Sequence, residues 1–95
     1  MYVVLLKFAE NRAKAPDLMD GHNAWIREGF EAGVFLATGS LQPNAGGGIL
    51  AHNMTREALD ARIAADPFVA EGVVTADVLE ITPARTDPRL DFLKA

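Results

Sequence analysis

The stretch Val3-Val4-Leu5-Leu6-Lys7-Phe8 decides the architecture. Its β-branched and large apolar residues favour a strand, and they occupy odd and even positions alike instead of alternating with polar ones. Such a strand needs cover on both faces of its sheet. The next segment supplies one cover. Pro16 and Asp17 make a helix start, proline being tolerated in the first turn and an acidic side chain favoured there by the helix dipole. Leu18, His22, Ile26 and Gly29 follow at helical spacing with Trp25 alongside, while Arg27, Glu28 and Glu31 point elsewhere, and Gly33 ends the helix.

Residues 34–41 read as a second strand. Pro43-Asn44 and Gly46-Gly47-Gly48 read as a flexible turn into a third strand over residues 49–52. Thr55 can cap a second helix with Glu57 in its first turn and Leu59 and Ile63 as its apolar stripe, and Pro67 forbids its continuation. Residues 73–81 form the fourth strand. The order β-α-β-β-α-β predicts an α+β fold, the ferredoxin-like sandwich, with both helices on one face of an antiparallel sheet. The other face then calls for a second copy, giving a homodimer packed through its sheet faces. Residues 1–83 make the domain. Residues 84–95, with Pro88, Leu90, Phe92 and Leu93, are expected to form an extension lying over a neighbouring copy.

Composition narrows the function classes. A chain of 95 residues, 49% hydrophobic, is enough for one core. Nine Lys and Arg against thirteen Asp and Glu leave a net charge of -4, which argues against a nucleic-acid partner. With no cysteine there is no disulfide, thiolate nucleophile or Cys-ligated metal. The apolar opening lacks a basic start and is cut by Lys7 and Glu10, so no membrane anchor is expected and the location is read as cytoplasmic. His22 and His52 have no third ligand at metal-binding spacing, and the glycines are not followed by the Lys and Ser or Thr of a phosphate-binding helix. Neither metal nor cofactor is expected. A small organic molecule is the ligand class expected beside the second copy.

Topology then gathers the polar residues. In this fold the end of strand one, the early turns of helix one, the end of strand two and the end of helix two share one edge. Residues 7–12, His22, Gly39-Ser40 and Asp66 are therefore expected to converge. Asp66 is read as standing at a helix C-terminus, where a carboxylate costs about 0.3–1 kcal/mol unless a donor faces it. His22 is the candidate donor. A histidine held by a carboxylate is suited to moving a proton near neutral pH, the acid fixing the tautomer. The plainer readings stand beside this one: a hydrogen-bonded core histidine, and an aspartate bonded to its own turn. Ser40 offers a pocket-lining hydroxyl, or is simply a strand end. Trp25, read as core or pocket wall, and Phe68, beside Asp66, complete the candidate substrate-binding set. His52 is expected to face solvent.

His22 with Trp25-Ile26, the Glu31-Ala32-Gly33 exit, Leu36-Ala37-Thr38-Gly39, the glycine-rich hairpin and Ala65-Asp66-Pro67-Phe68-Val69 before Gly72 together resemble the YciI-related (YCII) family. The resemblance covers residues 1–83 and is most specific at Asp66-Pro67-Phe68. It implies a ferredoxin-like fold of the dimeric α/β barrel type and a site built on His22 and Asp66, with Ser40 lining the pocket. One characterised type of relative is a dehydrochlorinase of a chlorinated hydroxyhydroquinone, and similar barrels include muconolactone isomerases and cofactor-free monooxygenases. The expected function is thus a cofactor-independent lyase or isomerase using a His and Asp pair, the alternative being a non-catalytic ligand-binding or accessory domain. Pro43-Asn44-Ala45 and the glycines replace the family's usual polar run, and residues 84–95 exceed its minimal domain.

Overall fold

The computed structural model describes residues 1–94. Strand β1 (Tyr2–Phe8) leads through a 3-10 turn (Arg12–Lys14) into α1 (Ala15–Glu31). Then come β2 (Phe35–Leu41), β3 (Gly46–Ala51), α2 (Arg56–Ala64), a one-turn helix α3 (Pro67–Ala70) and β4 (Val74–Glu80). A 3-10 segment, Pro88–Lys94, follows. The strands form one antiparallel sheet in the order β2-β3-β1-β4. This is the ferredoxin-like α+β sandwich, with β1 in the interior as its unbroken apolar pattern requires. Among the described residues, no helix is long and apolar enough to cross a membrane.

The sheet register sorts the side chains. Two rows face the helices, Thr38-Ile49-Val4-Val78 and Ser40-Gly47-Leu6-Ala76. Val4, Leu6 and Ile49 from these rows join Trp25, Phe35, Leu59, Ile63, Phe68 and Val73 in the core. The outer face carries the row Ala37-Leu50-Val3-Leu79, with Leu79 and Ile81 about half exposed (55% and 46%).

Four devices fix the helices. Gly33, at φ 74°, ends α1 in a Schellman turn, with the Gly33 N–H bonded to the Phe30 carbonyl and the Val34 N–H to the Gly29 carbonyl. Gly29 faces the Phe35 ring, which a Cβ there would approach to 2.1 Å, so α1 can lie on β2 only through a glycine. Asn11 ties the two ends of the sandwich edge together: its N–H bonds the Gly72 carbonyl at 3.0 Å and its side-chain amide the Glu71 carbonyl at 2.8 Å. The predicted cap of α2 is present, Thr55 Oγ1 accepting from the Ala58 N–H at 3.1 Å.

Three expectations need correction. Gly46, Gly47 and Gly48 belong to β3, not to the turn, which is confined to residues 42–45. Pairing with β1 on one side and β2 on the other supplies the ladder that glycine's weak strand preference does not predict. Pro67 does more than stop α2: it opens α3 from the first helical position, where its missing N–H costs nothing. His52 is half-buried, because the Phe92 ring of the C-terminal 3-10 segment lies edge-on to it at 5.4 Å. That segment thus has a contact on its own chain.

Candidate functional site

Asp66 is reached by correcting one premise. It does not end α2, which stops at Ala64; it is the N-cap of α3, and its Oδ1 accepts the Phe68 N–H at 3.1 Å. A carboxylate is favoured at that end of a helix. The same Oδ1 lies 2.8 Å from His22 Nδ1. Asp66 is fully buried, and its Oδ2 has no hydrogen-bond partner among the described residues. The pair is close because α1 crosses α3 at Gly21, where a Cβ would stand 3.1 Å from Pro67 Cγ, and because Asn11 latches the start of α1 to the turn after α3.

The chemistry follows from these contacts. An ionised carboxylate only accepts, so Nδ1 carries the proton and, in the neutral ring, Nε2 carries the lone pair. Among the described residues Nε2 has no hydrogen-bond partner, and the His22 side chain keeps 12% of its surface exposed. Phe68 stacks flat on the imidazole, with centroids 3.9 Å apart and planes at 4°. The ring is therefore held on one face by Phe68 and at Nδ1 by Asp66, and its free nitrogen is left to the cavity beside it.

That cavity, about 270 Å³, lies between α1, α3 and the sheet. Leu6, Phe8, Ile26 and Val74 give it apolar walls; His22, Asn23, Thr38 and Ser40 are its polar side chains, and among the described residues no Lys, Arg, Asp or Glu lines it. Of the residues singled out from sequence, His22, Ser40 and Phe68 line the cavity, and Asp66 stands behind His22. Trp25 does not line it. Three positions after His22, it is turned about 60° around the helix, and its Nε1–H donates to the Arg62 carbonyl at 2.8 Å with the ring edge-on to Phe35. Its place is the core.

Some lining residues escaped the sequence reading although a signal existed. Met19 and Asn23 flank His22 on α1, Met19 at i−3, and Thr38 precedes Ser40 by two on one strand face. The glycines of β3 gave no such signal, since they read as a turn. No group of three or more His, Cys, Asp or Glu able to hold a metal occurs among the described residues.

Fold and site together define a small ferredoxin-like α+β domain, with a histidine and a buried carboxylate beside a ligand-sized hollow. Residues 1–83 match the YCII-related domain, and the chain belongs to that family. Among solved structures it is similar to 5-chloro-2-hydroxyhydroquinone dehydrochlorinase from Burkholderia phenoliruptrix AC1100, in complex with 2,5-dihydroxybenzoquinone. The TM-score is 0.68 at 12% identity, covering 85% of this chain and 93% of that one. No curated protein matches.

Proposed function

We propose that this protein is a small-molecule enzyme of the lyase or isomerase type, in which His22 transfers a proton on an uncharged, oxygen-bearing ring without a cofactor. The observation that carries the proposal is the 2.8 Å contact between His22 Nδ1 and the fully buried Asp66, with Nε2 left unpaired at the cavity. A buried carboxylate oxygen without a partner costs about 1–3 kcal/mol. Such local costs are concentrated at functional sites. The cavity is larger than the roughly 150 Å³ that takes a benzene ring and below the roughly 300–1,000 Å³ of drug-sized sites. Its walls carry no formal charge, which disfavours phosphate or carboxylate ligands.

In an elimination, Nε2 accepts a proton from the ring, the freed electron pair moves into the ring, and the leaving group departs with its bonding pair. In an isomerisation the same proton returns at a different carbon. Asp66 fixes the tautomer and balances the imidazolium, and Ser40 or strand-edge N–H groups hold a ring oxygen. The similar dehydrochlorinase supports a chlorinated hydroxyquinol as the first substrate to try. Replacing His22 by Ala is expected to lower turnover by about 10²-fold to 10⁴-fold, the usual worth of general acid-base help. Chloride release or ring absorbance measures it. A His22→Ala protein that keeps wild-type turnover would reject the proposal. Saturable binding with no product from the wild type would instead favour a ligand-binding or accessory module.

The domain is further proposed to work as a cytoplasmic homodimer packed through its outer sheet face. The support for the dimer is the apolar outer face, where Leu50, Leu79 and Ile81 are exposed around a half-buried Val3.

A further inference from the structure

We infer that Gly47 is a specificity-determining residue: the side chain it lacks is the space in which the ring of the ligand is held. This rests on the ring-binding reading of the cavity given above. Each glycine near the site can be asked what it is for. Gly46 is imposed by the backbone, since it stands at φ 134° and a Cβ there would fall 1.8 Å from the Leu6 carbonyl oxygen. Gly48 pairs with Leu5 and faces outward, a Cβ there standing 3.3 Å from Leu41 Cδ2. Gly47 has neither reason. Its φ lies outside the left-handed region, and the nearest atom to a Cβ would be the Gly39 carbonyl oxygen at 3.6 Å, an ordinary contact.

Its place in the register gives the reason instead. Gly47 sits on the helix-facing side between Leu6 on β1 and Ser40 on β2, and all three line the cavity. One row further along, the same strand carries Ile49, which is 4% exposed and fills the space between Val4 and Thr38. A side chain the size of Ile49 at position 47 would enter the cavity across from the His22 and Phe68 stack. The glycine therefore leaves room for a ligand, and a larger residue would restrict the site to smaller ones.

The test titrates phenol and hydroquinone, two uncharged hydroxylated rings, into wild type, Gly47→Ala and Gly47→Val, following amide shifts by NMR and melting each protein. The wild type is expected to bind both rings saturably. Gly47→Val should bind them at least tenfold more weakly and Gly47→Ala should fall between. Neither variant should melt below wild type, because a side chain in a strand interior is better tolerated than glycine. Equal binding by Gly47→Val and wild type overturns the inference and leaves the ring-binding reading in place. A Gly47→Ala protein that melts lower than wild type also overturns it, by showing that the fold itself demands glycine. A wild type that binds neither ring overturns both the inference and the reading beneath it.

Discussion

The two faces of the sheet are built from the same four strands and end in different states. The helix side is closed over most of its area: Val4 and Ala51 are fully buried, and the hollow above Gly47 is where His22 stands. The outer side is as apolar in its central row, yet Leu50, Leu79 and Ile81 remain exposed at 37%, 55% and 46%. Its charged pair is loose as well, Lys7 Nζ standing 3.4 Å from Asp77 with both side chains more than half exposed. In the His22 and Asp66 pair on the other side, the carboxylate is fully buried and the imidazole only 12% exposed. The contrast teaches that an apolar pattern records a need for cover, while chemistry requires the cover to be left incomplete at one point.

Four substitutions test that contrast, beginning with the most damaging. Asp66→Ala removes the cap of α3, worth roughly 1 kcal/mol, and strands the half-buried His22 Nδ1–H, worth about 1–3 kcal/mol. A loss of about 2–4 kcal/mol in urea unfolding is expected. A loss below about 0.5 kcal/mol would mean that the helix side is not closed around this pair. Stability alone does not separate fastening from catalysis, because Asp66 Oδ1 bonds both His22 and the α3 backbone. Asp66→Asn, which keeps an acceptor for Phe68, separates them: turnover lost with most of the stability kept marks a positioning role.

On the outer side Leu79→Glu should leave the folded monomer within about 0.5 kcal/mol, as exposed positions usually do. It should also convert the proposed dimer to monomer at micromolar concentration, read by light scattering. A wild type that is already monomeric at that concentration would break the comparison, since its outer face would then stand uncovered. The smallest effect belongs to Lys7→Ala, where an exposed ion pair is worth at most about 1 kcal/mol. A larger loss that appears only at concentrations where the protein associates would place this pair inside the sheet-to-sheet contact.

The fold was largely legible because its signals are local. Proline and aspartate open α1, Thr55 caps α2, Gly33 closes α1, and β1 announces two-sided burial without reference to anything distant. Legibility failed where long-range pairing overrode local preference. Residues 46–48 look like a turn and are held as strand by neighbours on both sides, and the single turn of α3 is too short to show a period. The candidate site was legible in its members and less so in its arrangement. His22 and Asp66 could be brought to one edge by topology alone. That Trp25 would turn away to bond Arg62, and that Phe68 would stack on the imidazole, depends on how α1 and α3 cross at Gly21 and Pro67.

What the amino-acid order determined by itself is the sequence of elements, the caps that bound them and the chemical types available at the edge, because hydrophobic period, proline and glycine act within a few residues. What only the tertiary structure decided is which oxygen of Asp66 meets which nitrogen of His22, and that Gly47 lies under a hollow instead of in a loop. Those outcomes depend on contacts between residues 44 positions apart and on strand register. Each is set by packing over the whole domain, to which no short stretch of the chain has access.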